Sequence, residues 1–435
     1  MTVEPETYLR TLPSIRERCQ KVYEKAQQGQ LQCFDIHEDK ALPAIVEHVL
    51  TTTQRRFSDV SSVPPHSRLR HFDPRDIEGL MQTWQTNNVA QIEQARRLVD
   101  LVIVSVLLDA GAGQVWKYKT QRGDYAGRSE GLAIASFDMF IAGRFSTNEH
   151  VPDQVDVGGL NKVTVERMAA DFQVTEENPM VGLEGRSNLL KRLAAVMDEQ
   201  SMYFPTQNQT ETRRPGHLVD YVLSSVDDVS EQGSKKALRV EKIWEAVMSL
   251  GAMWPARVQI NGVQMGDVWP CPCLTSGNNS NDAYEDLVPF HKLSQWLTYS
   301  LIEAIETGLN VTVQGVELLT GLPEYRNGGL LVDYGLLTLK SDEVKRGIAA
   351  AVDPEADDAL PTFEGSDPVI VEWRALTVIY LDIIKQKVEE KLGKKLLLAQ
   401  VLEGGTWTAG REVAAKLRPK DGGPPIVIKS DGTIF

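Results

Sequence analysis

The sequence predicts a mainly α fold, a single large helical domain spanning residues 1–435 with a few short strands, and three observations carry that prediction. Apolar residues recur at helical spacing through most of the chain. Strands and helices do not alternate regularly, so a parallel sheet of βα units is not indicated. No internal repeat is present, which removes solenoids and propellers.

Residues 5–27 carry Tyr8, Leu9, Leu12, Ile15, Val22 and Tyr23 on one side of a helix, and residues 42–57 repeat the pattern. Residues 89–111 begin amphipathic and become apolar all round at LVDLVIVSVLL, as a helix at the centre of a large core does. Gly111 and Gly113 are expected to end it, because glycine takes the left-handed position after a helix without a Cβ clash. Further helices are expected at 128–142, 159–172, 182–200 and 240–250. Residues 258–269 alternate around Asn261-Gly262, a hairpin signal, and the polar, Gly/Asn/Ser-rich stretch 273–286 reads as a surface loop. Helices at 291–307 and 369–392 follow, with short strands at 311–314 and 426–428 and an acidic, proline-containing connector at 353–367.

Charge and cysteine usage narrow the function classes. With 46 Lys and Arg against 60 Asp and Glu, the formal charge is −14. Such a chain has no basic face with which to neutralise nucleic acid or an anionic membrane, so neither is an expected partner. A phosphate-bearing substrate would need a local cationic pocket working against the global field. Of the four cysteines, only Cys271 and Cys273 are close-set, without the Cys or His partners of a zinc site. His66, His71 and His291 lack metal-ligand spacing, so neither a metal nor another cofactor is expected. The N-terminal residues lack the apolar core of a signal peptide, and a reducing cytoplasm fits the whole.

Chemistry concentrates in VPFHKLSQWLTYSL (288–301) and ELLTGLPEYRNGGLLVDYGLLTLK (317–340). Asp333 lies between Leu-Leu-Val and Gly-Leu-Leu, a costly place to bury a charge unless it is paired or used. Lys292 opens a helix of Leu293, Trp296, Leu297, Leu301 and Ile302. The two make an acid/base or ion-binding pair, or alternatively a structural salt bridge. Glu324, Arg326 and Asn327 precede Gly328-Gly329, so a turn is expected there, with Arg326 able to grip phosphate by two hydrogen bonds. Arg374, within Glu372-Trp373-Arg374, is a second phosphate candidate. Asp109 closes the most apolar helix against its dipole, and is either a ligand for ribose hydroxyls or a cap for a loop. Gly127-Arg128-Ser129-Glu130-Gly131 fits the pattern of a nucleophile elbow, but polar residues stand where a buried strand is required. Arg128 and Glu130 at that helix start are the better binding candidates. The Glu403-Gly-Gly-Thr-Trp407 stretch with Arg411 reads as a connection between helices.

Read end to end, the chain resembles the uracil-catabolism protein four family of the URC (Urg) gene clusters. The phrases that carry this are PPHSRLRHFD (64–73), SVLLDAGAGQVWKYK (105–119), RSEGLAIASFDMF (128–140) and GLEGRSNLLKRL (182–193). The two stretches richest in chemistry, VIVEWRALTV (369–378) and the tail PPIVIKSDGTIF (424–435) complete them. The resemblance implies uracil degradation by way of its ribonucleotide, with a ribosylurea-type intermediate and urea as a product. A shorter resemblance is to the queuosine-nucleotide N-glycosylase (queuine salvage) family, with FHKLSQ placing Lys292 and VDYGLL placing Asp333 on that family's motifs. It implies an all-helical fold, similar in outline to DNA glycosylases, and a catalytic role for Asp333; the match departs after Tyr334, which leaves substrate recognition open.

The expectation that follows is an N-ribosyl hydrolase releasing urea and ribose phosphate from a ribosylurea 5-phosphate-like intermediate. Asp333 and Lys292 are its catalytic residues. Asp109, Arg128, Glu130, Glu324, Arg326, Asn327 and Arg374 hold a phosphorylated ribosyl substrate, and a homodimer is left open. An amidohydrolase acting on the ureido group, or a non-catalytic partner of the pathway enzymes, are the alternatives.

Overall fold

The computed structural model describes residues 4–109, 111–113, 115–224, 237–254, 256–275 and 284–429. The fold is mainly α. Every sheet among the described residues is a two-stranded ladder, and none closes. Among them no helix is long and apolar enough to cross a membrane.

The chain divides into two compact units, each assembled from separate stretches of sequence. The first comprises residues up to His66, Ala256–Gln295 and the chain from Glu317 onward. Its axis is the helix Pro368–Leu392, started by Asp367, whose carboxylate accepts from the Val369 amide at 3.0 Å, and stopped by Gly393 at φ 62°. Val369 through Leu381 are all buried, and the helix Leu12–Gln27 packs on it through an apolar face that includes Ile15, Cys19 and Val22. The expected helix 5–27 is interrupted, because Thr11 caps a new start at Leu12 with Pro13 in its first turn. The expected connector at 353–367 contains a strand, Thr362–Glu364, paired in parallel with Val427–Lys429. The hairpin at Asn261-Gly262 forms as expected, with Gln259 opposite Gln264. The predicted loop 273–286 lies largely outside the described residues.

The second unit comprises Ser67–Pro255 and Trp296–Val316. At its centre lies the helix Gln91–Leu107, buried from Gln94 to its end. The one carboxylate in that buried run, Asp100, is 0% exposed and is matched by Arg214 at 2.6 Å and by the amides of Val155 and Gly216. The helices Arg128–Ile141 and Leu183–Glu199 pack against this centre.

Two glycine pairs read as turns lie inside helices. Gly328 and Gly329 belong to the helix Tyr325–Asp333, where a Cβ on Gly328 would approach Trp373 Nε1 to 2.8 Å. Gly404 and Gly405 lie in a π-helical turn, Leu402–Thr406, that joins Leu398–Val401 to Trp407–Leu417 as one continuous run. A Cβ on Gly405 would meet Val49 Cγ1 at 2.5 Å. In both places glycine serves close packing of a neighbour rather than a turn.

Candidate functional site

In the second unit, four phrases distant in sequence deliver polar groups to one place. Asp109 follows the central helix, Arg68 and His71 lie on the turn Arg68–His71, and Ser129 is the second residue of the helix Arg128–Ile141. Ser129 Oγ lies 2.8 and 2.7 Å from the two Asp109 oxygens and 3.0 Å from His71 Nδ1. Arg68 Nη1 lies 2.8 Å from Asp109 Oδ2, 2.9 Å from Ser129 Oγ and 3.1 Å from His71 Nδ1. Arg68 Nε donates to Ser105 Oγ at 2.8 Å, so the central helix itself orients the guanidinium.

Burial separates the roles. Arg68 is 0% exposed, whereas the Asp109 side chain is 15% exposed and therefore open on one side. Burial pulls the pKa of Arg68 down, and Asp109 pushes it back up. Arg186 adds a second cation: its Nε donates to the Leu108 carbonyl at 3.1 Å, and burial, countered by Asp109, brings its pKa to about 10. These two arginines offset the unfavourable position of Asp109 at a helix C-terminus. The His71 ring lies 5.6 Å from the Trp296 ring, which provides an aromatic wall.

Sequence reasoning nominated Asp109 here but not Arg68, His71 or Arg186, and it ranked Ser129 low. A short strand, Tyr125–Gly127, does precede Ser129, and Arg128 adopts a φ of 53°. That strand is exposed or half-buried in a two-stranded ladder, so the nucleophile elbow of a buried sheet is absent. Arg128 is exposed, and Glu130 is half-buried with its charge felt by Arg68.

The first unit holds the remaining candidates. The Asp333 side chain is 3% exposed, and both its oxygens accept from Arg418, at 2.8 and 2.6 Å. Its ion-pair partner is thus an arginine of the C-terminal helix Trp407–Leu417 and its exit. Lys292 is the first residue of the helix Lys292–Leu309, and its amide donates to Asp267 Oδ2 at 2.9 Å. Asp267 also accepts both terminal nitrogens of Arg374, at 2.8 and 2.7 Å, and the Trp269 indole at 2.6 Å. Burial opposes the Asp267 charge, but Arg374 and these donors win and bring its pKa down to about 2. Arg374 also lies 4.0 Å from the Phe290 ring, so it is committed within the core. Glu372 accepts the amides of Gln32 and Cys33, both at 2.9 Å.

Glu324 caps the helix Tyr325–Asp333, accepting the amides of Arg326 at 2.9 Å and Asn327 at 2.6 Å. Asn327 Nδ2 donates to the Leu322 carbonyl at 3.2 Å. Arg326 differs from both. It is 7% exposed, its Nε donates to Tyr325 Oη at 2.9 Å, and its guanidinium carbon stacks 4.2 Å from the Trp407 ring. Arg411 approaches the same indole, at 4.9 Å. His66 Nδ1 bonds Glu403 Oε2 at 2.7 Å, and the His66 ring lies 5.8 Å from Trp407.

Comparison with known proteins agrees with the near full-length resemblance. The chain is 40% identical to "Protein urg3" of Schizosaccharomyces pombe (strain 972 / ATCC 24843), over the full length of both chains. It is 37% identical to "Uracil catabolism protein 4" of Lachancea kluyveri, again over the full length of both. A family model described as "Protein of unknown function (DUF1688)" matches residues 8–435. One of these relatives is thus named for uracil catabolism, and the chain belongs to the DUF1688 family.

Proposed function

We propose that this chain acts in uracil catabolism as an N-ribosyl hydrolase, converting a ribosylurea 5-phosphate-like intermediate and water to urea and ribose phosphate. The pathway comes from the name of one full-length relative, "Uracil catabolism protein 4". The reaction rests on one observation above the others: Asp109 presents a carboxylate, 15% exposed, clamped by fully buried Arg68 and by Ser129.

In such a hydrolysis, positive charge grows at the anomeric carbon as the carbon–nitrogen bond lengthens. A fixed carboxylate beside that carbon stabilises the charge and orients the attacking water. The water oxygen bonds to carbon, one of its protons leaves, and the departing nitrogen takes up a proton to complete urea. Arg68 and Ser129 hold Asp109 in place, and Trp296 offers the ribosyl ring an apolar face. Asp333, the first choice on sequence, is assigned a structural role in this reading because Arg418 engages both its oxygens.

The test is incubation of purified protein with ribosylurea 5-phosphate and assay of urea and ribose phosphate. Asp109→Asn should lower turnover by about 100- to 1000-fold, the cost of losing one well-placed transition-state charge. Full activity in that variant would remove Asp109 from the chemistry. One observation favours a second reading, an amidohydrolase attacking the ureido carbonyl: Ser129 Oγ stands within hydrogen-bonding distance of both Asp109 and His71. Ammonia as product, with Ser129→Ala inactive, would select it.

A further inference from the structure

Arg326 is the anomaly of the first unit. Burying a guanidinium without a counter-charge is expensive, and the other charged candidates of this unit are matched: Arg374 by Asp267, Asp333 by Arg418. Arg326 is only 7% exposed, yet its side chain makes a single hydrogen bond, from Nε to Tyr325 Oη. No carboxylate pairs with it among the described residues. Its two terminal nitrogens, the edge that grips an oxyanion through parallel bonds, have no acceptor among the described residues.

The surroundings hold that edge in place rather than quench it. Trp407 lies 4.2 Å beneath the guanidinium, and Tyr325 stands 5.3 Å away on another side. Arg411 also approaches this indole, at 4.9 Å. The backbone is equally constrained, because the Arg326 carbonyl packs on Gly410, where a Cβ would collide with it. The π-helical turn Leu402–Thr406 immediately before Trp407 sets the angle at which the indole is delivered.

We infer that Arg326, seated on Trp407, forms a binding site for a phosphomonoester dianion. The planar fork of the Arg326 guanidinium matches two oxygens of a phosphoryl group, and its unmatched charge acts locally against an acidic chain of net −14. The inference concerns the first unit alone and rests on no step of the proposed hydrolysis.

The test uses the full chain and two probes, ribose 5-phosphate and ribose, with affinity read by calorimetry and stability by thermal unfolding. Wild-type protein should bind ribose 5-phosphate and not ribose. Arg326→Met should weaken ribose 5-phosphate binding by about 10- to 100-fold, the loss of charged hydrogen bonds. Arg326→Lys should fall between, keeping charge without the fork. In phosphate-free buffer Arg326→Met should also unfold at a higher temperature than wild type, since it removes an unmatched buried charge. Undiminished binding, or a lower unfolding temperature without ligand, overturns the inference. Loss of binding in Arg326→Met supports it whether or not urea is ever released.

Discussion

Replacing Arg374 decides whether the most buried of the arginines nominated from the sequence is a ligand or a strut. Arg374 is 2% exposed and donates to both oxygens of Asp267. The value of about 2 for Asp267, against the usual aspartate near 3.8, corresponds to roughly 2–3 kcal/mol in favour of the folded, charged form. Because the folded value lies below the unfolded one, that stabilisation is complete above about pH 4 and fades as pH falls toward 2. Arg374→Met keeps the volume but leaves Asp267 buried without its cation, which costs about 3–5 kcal/mol. Urea unfolding at pH 7, followed by tryptophan fluorescence, should show a clear drop in midpoint. Adding Asp267→Asn, which removes the unmatched charge and keeps one oxygen as acceptor for either the Lys292 amide or the Trp269 indole, should recover part of that loss. If Arg374→Met left the midpoint unchanged and instead impaired only phosphorylated substrates, Arg374 would be a phosphate ligand and this assignment would fail.

Two further expectations concern packing around the same unit. Arg418→Met should destabilise by about 3–5 kcal/mol, because the 3%-exposed Asp333 side chain loses its ion-pair partner among the described residues, while Arg418→Met with Asp333→Leu should approach wild-type stability; unfolding midpoints of the three proteins check this. Gly410→Ala should cost about 1–3 kcal/mol and weaken ribose 5-phosphate binding together, because the new methyl pushes the Arg326 backbone away from Trp407; a stable protein with normal binding would show that the two helices yield freely.

The helices were legible because their signals are local. Asp367 and Pro368 open a helix and Gly393 closes it, and the apolar run before Asp109 lies at the centre of its unit as its pattern predicts. The same local logic failed at Gly328-Gly329 and Gly404-Gly405. Glycine marks either a turn or a surface pressed against a neighbour, and only the positions of Trp373 and Val49 decide between them. One consequence was that Arg326 was expected on a loop and Trp407 at a junction, when both lie on packed helical runs and face each other.

Partnership is likewise a tertiary property. A buried carboxylate in sequence demands a cation without saying which, so Asp333 suggested Lys292 where the fold supplies Arg418, 85 residues further along. The Asp109 cluster draws on residues between Arg68 and Arg186, and their spacing carries no signature because they arrive on several separate elements. What the sequence determined by itself was the helical class, the acidic surface and the membership that near full-length identity of phrases implies. Which charges pair and which stay open to a ligand was decided only by packing, since burial sets the energy of a charge and burial exists only once the chain has folded.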